Sequence, residues 1–217
     1  MGSEHKNMKD FKDFVHVVAQ SVVCVTALWL TACSTTPNLP HSSALRSQKP
    51  ASLALPDKVQ FLQTDQRWAD QTLGGTFEPL GRDGCLVTAA AMALVNLGFR
   101  TDPGDLTNRL KAANGFTDDG WLVWAGVERA TGGIARTYFY NRKDDDVVRA
   151  CLAAGYYPLV KFKLPTSKTH WAVVVKETGD GFFIRDPMVN SRTPIALRQR
   201  APHIDAVRCI GVPAQRA

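Results

Sequence analysis

The sequence predicts an α+β domain in which helices come first and an antiparallel sheet follows. Three observations lead there. Apolar and small residues recur at helical spacing at Leu86, Ala89, Ala90, Ala93 and Leu97. After Gly155 the period changes, and the β-rich runs "YYPLVKFKL", "HWAVVVKET" and "GFFIRDP" alternate with turns. Helices followed by strands, with no internal repeat, is the order of a domain whose helices pack on one sheet.

Each element carries its own signals. "DKVQFLQTD" reads as a short strand running into a turn. Cys85 to Leu97 reads as a helix closed by Gly98. Asp102 to Ala113 is a second helix, with "TDPGD" as its start. Trp121 to Thr131 is a third, closed by Gly132 and Gly133. Asp144 to Ala154 is a fourth; the acidic residues of its first turn suit the positive end of the helix dipole, and Gly155 stops it. "DAVRCIGV" reads as a last strand.

The N-terminal stretch is of another kind. Lys6, Lys9 and Lys12 precede an apolar run from Phe14 to Ala32 that ends in small residues. A positive start, an apolar middle and a small-residue end describe a secretory signal, starting at Met1 or at Met8. His16, Gln20 and Ser21 thin the run, which argues against a membrane-spanning helix. It stops at Leu30-Thr31-Ala32-Cys33, which resembles the lipobox of bacterial lipoproteins. That resemblance implies cleavage before Cys33 and acylation of its thiol and of the new amino terminus. Several acyl chains anchor a protein stably where one is marginal. Ser34 follows, not aspartate, so the resemblance favours the outer membrane, with the domain facing the periplasm. Residues 34–56, rich in Pro, Ser and Thr, read as a disordered tether. The expected organisation is a signal over 1–32, a lipidated Cys33 with its tether over 33–56, and the domain over 57–217.

The formal charge is +6, but Lys and Arg are scattered and no basic run is interleaved with aromatics, which argues against a nucleic-acid partner. The modest basic excess suits an anionic envelope surface or acidic polymers. No two of the five cysteines form a CxxC pair, so a structural zinc site is not expected. Cys151 and Cys209 read as small buried hydrophobes, with a disulfide between them as the open alternative in an oxidising compartment.

Cys85 stands at a predicted helix start, where partial positive charge and unpaired N–H groups stabilise an anion. The thiolate is the nucleophilic form of cysteine. Gly84 before it lets the chain turn sharply. Of the two histidines in the domain, His203 lies on a charged stretch, whereas His170 opens a strand and is the better base for Cys85. Asp186 follows the next strand, where a carboxylate can fix the imidazole tautomer. Gln63 and Gln66, upstream of the cysteine loop, offer a side-chain amide to a developing oxyanion. Singly, each has a plainer reading: packing for Cys85, a strand-end imidazole for His170, a turn aspartate before Pro187. Their joint occurrence favours catalysis.

The segments "QTDQRWADQTLGG", "GCLVTAAAMAL", "THWAVVV" and "GFFIRDPM", in this order, resemble the peptidase C39-like family of papain-fold cysteine peptidases. "DDGWLVWAGVERATG" matches the place of that family's Gly-Trp helix, and the likeness runs from about Val59 to Met188. The resemblance implies a papain-like fold, Cys85 as nucleophile, His170 as base, Asp186 as its orienter and Gln63 as oxyanion donor, with Gln66 second. It makes Thr88 and Trp68 structural residues. Leu86 departs from the family's usual glycine; Leu86 and Trp171, each adjoining a reacting group, are the expected substrate contacts. The implied activity is hydrolysis of a peptide or protein substrate by a monomer without metal or cofactor. Whether a double-glycine cleavage rule applies is open. A papain-like peptidoglycan endopeptidase or amidase, and a non-catalytic lipoprotein adaptor, remain the alternatives.

Overall fold

The computed structural model describes residues 52–140 and 144–213. The expected signal, Cys33 and the tether up to residue 51 lie outside the described residues. Among the described residues, no helix is long and apolar enough to cross a membrane.

The fold is a mixture of helices and one antiparallel sheet. Strand β1 (Leu53–Ala54) comes first, then helices α1 (Leu80–Asp83), α2 (Cys85–Asn96), α3 (Pro103–Ala112) and α4 (Trp124–Ala130). Strand β2 (Arg136–Tyr140) and helix α5 (Asp145–Ala153) follow. The chain ends in β3 (Tyr157–Lys163), β4 (Thr169–Thr178), β5 (Gly181–Arg185), β6 (Ile195–Ala196), a 3-10 turn (Leu197–Gln199) and β7 (Ala206–Gly211). The sheet order is β2-β7-β3-β4-β5-β6, and β1 adds to β4 beyond the end of β3.

The helices start where their caps dictate. The Asp102 carboxylate accepts the Asp105 N–H at 2.8 Å with Pro103 in the first turn, and Asp144 accepts the Val147 N–H at 3.1 Å. Helix α4 begins at Trp124, three residues later than expected. Residues 116–122 close a tight turn first, with Phe116 bridged to Leu122 and Gly120 at φ 76°.

Two expectations at the N-terminal end are revised. Residues 57–63 form no strand, because their backbone N–H groups go elsewhere: Lys58 to the Asn96 side chain, Phe61 to the Met92 sulfur, Gln63 to the Pro187 carbonyl. The ordered domain also begins before Asp57. Leu53 and Ala54 are paired with Glu177 and Lys176, and the Tyr157 hydroxyl donates to the Pro56 carbonyl at 2.6 Å. The edge strand β2 is a further element that the sequence reading does not contain.

The sheet is covered on both faces. Against one face, α2, α3 and α4 build a core with Met92, Leu94, Leu106, Leu110, Val127, Leu159, Val173 and Val175. Against the other lies α5, with Val148 and Leu152 packed on Val160, Ala172, Val174 and Ile184. Alternate residues of β4 enter opposite cores, which is why "AVVV" is apolar at every position. Helices thus lie on both faces of the sheet. Cys151 on α5 and Cys209 on β7 meet on the α5 face as a disulfide, Cα–Cα 6.3 Å across a sequence separation of 58. Both are buried, as expected, but joined; the crossing of α5 over β7 that brings them together has no counterpart in sequence spacing.

Candidate active site

The site lies where α2 meets the ends of β4 and β5. Helix α1 leads into α2 through Gly84, whose missing Cβ would fall 2.5 Å from the Leu80 carbonyl oxygen. Only glycine fits this approach, and the break it makes sets Cys85 as the first residue of a twelve-residue helix. No side chain caps this helix, so its first-turn N–H groups are not taken by a capping oxygen. Cys85 is half-buried, and it is the free cysteine among the described residues.

His170 is the second residue of β4. The last β4–β5 pair is Val173 with Arg185, so β5 parts from β4 before it reaches His170. Asp186 follows at this parting. Its Oδ1 lies 2.7 Å from His170 Nε2, both side chains being buried to 2% exposure or less. The carboxylate makes Nε2 the protonated nitrogen and leaves Nδ1 as the nitrogen open to another partner, and Cys85 is near enough to raise the pKa of the ring. The Phe162 ring stands edge-on to the imidazole at 5.3 Å and helps to fix its plane.

Burial alone pushes the His170 pKa down. The hydrogen bonds to Asp186 and Cys85, and their charges, outweigh that and raise it from 6.5 to about 9. For Asp186 the order of effects is similar. Burial raises its pKa, but the His170 hydrogen bond and charge, the Met188 N–H and the Arg200 guanidinium lower it further, so the carboxylate stays ionised. The Met188 N–H donates to Oδ1 at 2.7 Å and Arg200 Nε to Oδ2 at 2.7 Å.

Gln63 is buried beside the cysteine loop. Trp68, itself buried, holds the turn that presents it by donating its indole N–H to the Leu62 carbonyl at 2.8 Å. Gln63 Nε2 donates to the carbonyls of Gly81 and Arg82 at 3.0 and 3.1 Å, and Oε1 is buried without a partner. Gln63 thus bridges α1, through its side-chain amide, to the Asp186–Pro187 turn, through its backbone N–H. Gln66 is exposed on the same turn. Thr88 is fully buried in α2.

Leu86 and Trp171 are half-buried and pack on the α2-side core. Trp171 meets Trp124 at 5.9 Å between ring centroids, and Trp124 meets Phe139 at the same distance, which draws an aromatic wall from beside His170 to the exposed Phe139. His203 lies apart, in an open depression of about 590 Å³ with Asp145, Asp180 and Asp205. Among the described residues no group of three or more His, Cys, Asp or Glu side chains is placed to hold a metal ion.

Three contributors were not legible as site residues. Arg200 reaches Asp186 from the 3-10 turn. Gln60 donates to the Asp186 carbonyl at 2.9 Å. Arg185 clamps Asp57 through two 2.7 Å contacts and also holds the carbonyls of Ser191 and Arg192, which fixes the loop after Asp186. Their partners lie up to 128 residues away, and nothing local marks them.

The sequence matches no protein-family model and no curated protein. Among solved structures, the chain is similar to a Bacillus anthracis protein provisionally described as a C39-like peptidase, with 12% identity and a TM-score of 0.46, covering 76% of this chain and 98% of that one.

Proposed function

We propose that this domain is a cysteine peptidase of the C39-like, papain-fold type, anchored in the cell envelope through lipid on Cys33. One observation carries the reading: a buried imidazole that meets a buried carboxylate through Nε2 at 2.7 Å, with the helix-start Cys85 close enough to act on its charge. With its pKa near 9, His170 carries a proton at neutral pH, beside a sulfur at the positive end of α2. The Cys85 thiolate attacks a peptide carbonyl carbon. The Cys85 N–H and Gln63 Nε2 hold the oxyanion, Gln63 releasing one of its two carbonyl partners to do so. His170 then protonates the departing amine, and the C–N bond breaks to leave a thioester. The neutral imidazole next takes a proton from water, the hydroxide attacks the thioester, and the acid leaves as the thiolate and imidazolium return. Asp186 holds the ring throughout. Leu86 and the Trp171–Trp124 wall line the approach and meet the substrate. The working protein is a monomer facing the periplasm from the outer membrane.

Alkylation by iodoacetamide tests this. In the full chain, Cys85 reacts with iodoacetamide near neutral pH, and His170→Ala slows it at least tenfold. A rate unchanged by His170→Ala overturns the mechanism. Turnover of unmodified peptides, against turnover of muropeptides alone, then decides between a protein substrate and the peptidoglycan reading. Labelled palmitate on wild type but not on Cys33→Ser checks the anchor.

A further inference from the structure

We propose that Arg200 is a positioning residue of the same site, a fourth member that keeps Asp186 ionised and aimed while His170 gains and loses its proton. The inference rests on the peptidase reading and goes beyond the Cys, His, Asp and Gln set.

A cysteine peptidase of this kind makes a particular demand on its aspartate. His170 must pass through a neutral state after it protonates the leaving amine. At that moment a carboxylate with no solvent exposure faces a neutral ring, and an unpaired buried anion is costly enough to take up a proton instead. A protonated Asp186 could no longer accept the Nε2 proton, and the ring would lose its tautomer. A second cation removes that hazard if it is permanent and sits on the other oxygen. Arg200 meets both conditions: guanidinium does not lose its proton in proteins, and its Nε is 2.7 Å from Oδ2 while His170 and the Met188 N–H share Oδ1.

The backbone places Arg200 deliberately. Strand β6 pairs with β5 through Phe183 and Ile184 and runs straight into the 3-10 turn. Leu197 and Ala201 are buried in the α5-side core on either side of Arg200, and the Arg200 and Ala201 N–H groups both return to the Leu197 carbonyl. The arginine is therefore held at a pinned corner, about a quarter exposed. Among the described residues, the titratable side chains that act on the imidazole are Cys85 from α2 and Asp186 from the β5 end; those on Asp186 are His170 and Arg200. Phe162, from β3, is uncharged.

The full chain in detergent, with isotope-labelled histidine, gives the test. Removing the guanidinium charge in Arg200→Gln leaves Asp186 less compensated, so the His170 imidazolium is stabilised and its titration moves upward by about one unit. Arg200→Lys, which keeps the charge, restores the wild-type midpoint to within about half of that shift. Turnover at neutral pH falls at least tenfold in Arg200→Gln, with kcat affected more than KM. An unmoved His170 midpoint in a folded Arg200→Gln protein overturns the proposal, and so does loss of folding in both variants, which would make Arg200 a folding residue only. Failure of the peptidase reading is separately visible, as iodoacetamide reactivity of Cys85 that ignores His170→Ala.

Discussion

The His170 imidazole couples the site to stability, and the coupling has a sign that can be measured. The perturbation is pH, with His170→Gln as reference. In the unfolded chain the imidazole titrates near its ordinary 6.5, and in the fold at about 9. A folded-state pKa above the unfolded one contributes stability that is complete below pH 6.5 and is lost as pH rises through 9. The shift is about two and a half units, and each is worth about 1.4 kcal/mol, giving a ceiling of about 3 kcal/mol. The side chain is only 2% exposed, so solvent screening does not discount it, but the effect is shared with Cys85 and Asp186. Urea unfolding of both proteins at fixed pH values from 6 to 10 reads it directly. The stability advantage of wild type over His170→Gln is expected to shrink by up to about 3 kcal/mol across that range. Asp186→Asn, by removing the carboxylate, should move the loss to lower pH. A difference between wild type and His170→Gln that stays flat from pH 6 to 10 would refute the reasoning.

Other consequences follow from contacts outside the reacting atoms. Replacing Cys151 and Cys209 by alanine frees a loop of 58 residues and should cost about 4 kcal/mol in urea unfolding, with Cys85 alkylation intact wherever the protein remains folded. Asp57→Ala leaves the Arg185 guanidinium without its carboxylate and should cost roughly 2–3 kcal/mol, since that pair is only partly buried; loss of Cys85 reactivity well below the unfolding midpoint would show that the loop carrying Asp186 has loosened. Asp102→Ala removes the α3 cap and should cost about 1 kcal/mol in thermal unfolding, without effect on alkylation. Leu86→Gly opens the approach beside the nucleophile, and turnover of peptides with bulky side chains should rise severalfold relative to small ones.

Much of this arrangement is legible in the chain, for reasons that are local. The caps at Asp102 and Asp144 and the stops at Gly98 and Gly155 act within a few residues, so the helix ends fall within three residues of expectation. The β4 run reads as a strand because β-branched residues crowd it, and its unbroken hydrophobicity reflects a sheet covered on both sides. What escaped was set by pairing at a distance. Residues 57–63 alternate like a strand but lie along α2 and beside Pro187, with no neighbouring ladder. Leu53 and Ala54 look like tether, and only β4 makes them a strand. Gln63 was legible as a candidate oxyanion amide upstream of the cysteine loop, but neither its burial nor its hold on the Gly81 and Arg82 carbonyls was. Arg200 is one of the two arginines in "RQRAPH", and what sets it apart is the corner between β6 and β7.

The disulfide and the free thiol stand on opposite sides of the sheet: Cys209 faces α5, whereas Cys85 heads the helix on the other face. A thiolate good enough to open a peptide bond is also good enough to open a disulfide, by attack on one of its sulfurs. In the folded chain β-strands stand between the two. The sheet is therefore a chemical partition as well as a scaffold. Once the fold opens, nothing separates them, and Cys85 becomes the agent that shuffles the bond. A chain unfolded in mild alkali should then return with mispaired cysteines unless Cys85 has been alkylated first, so that the residue proposed to give this protein its activity also limits how often it can be unfolded and recovered.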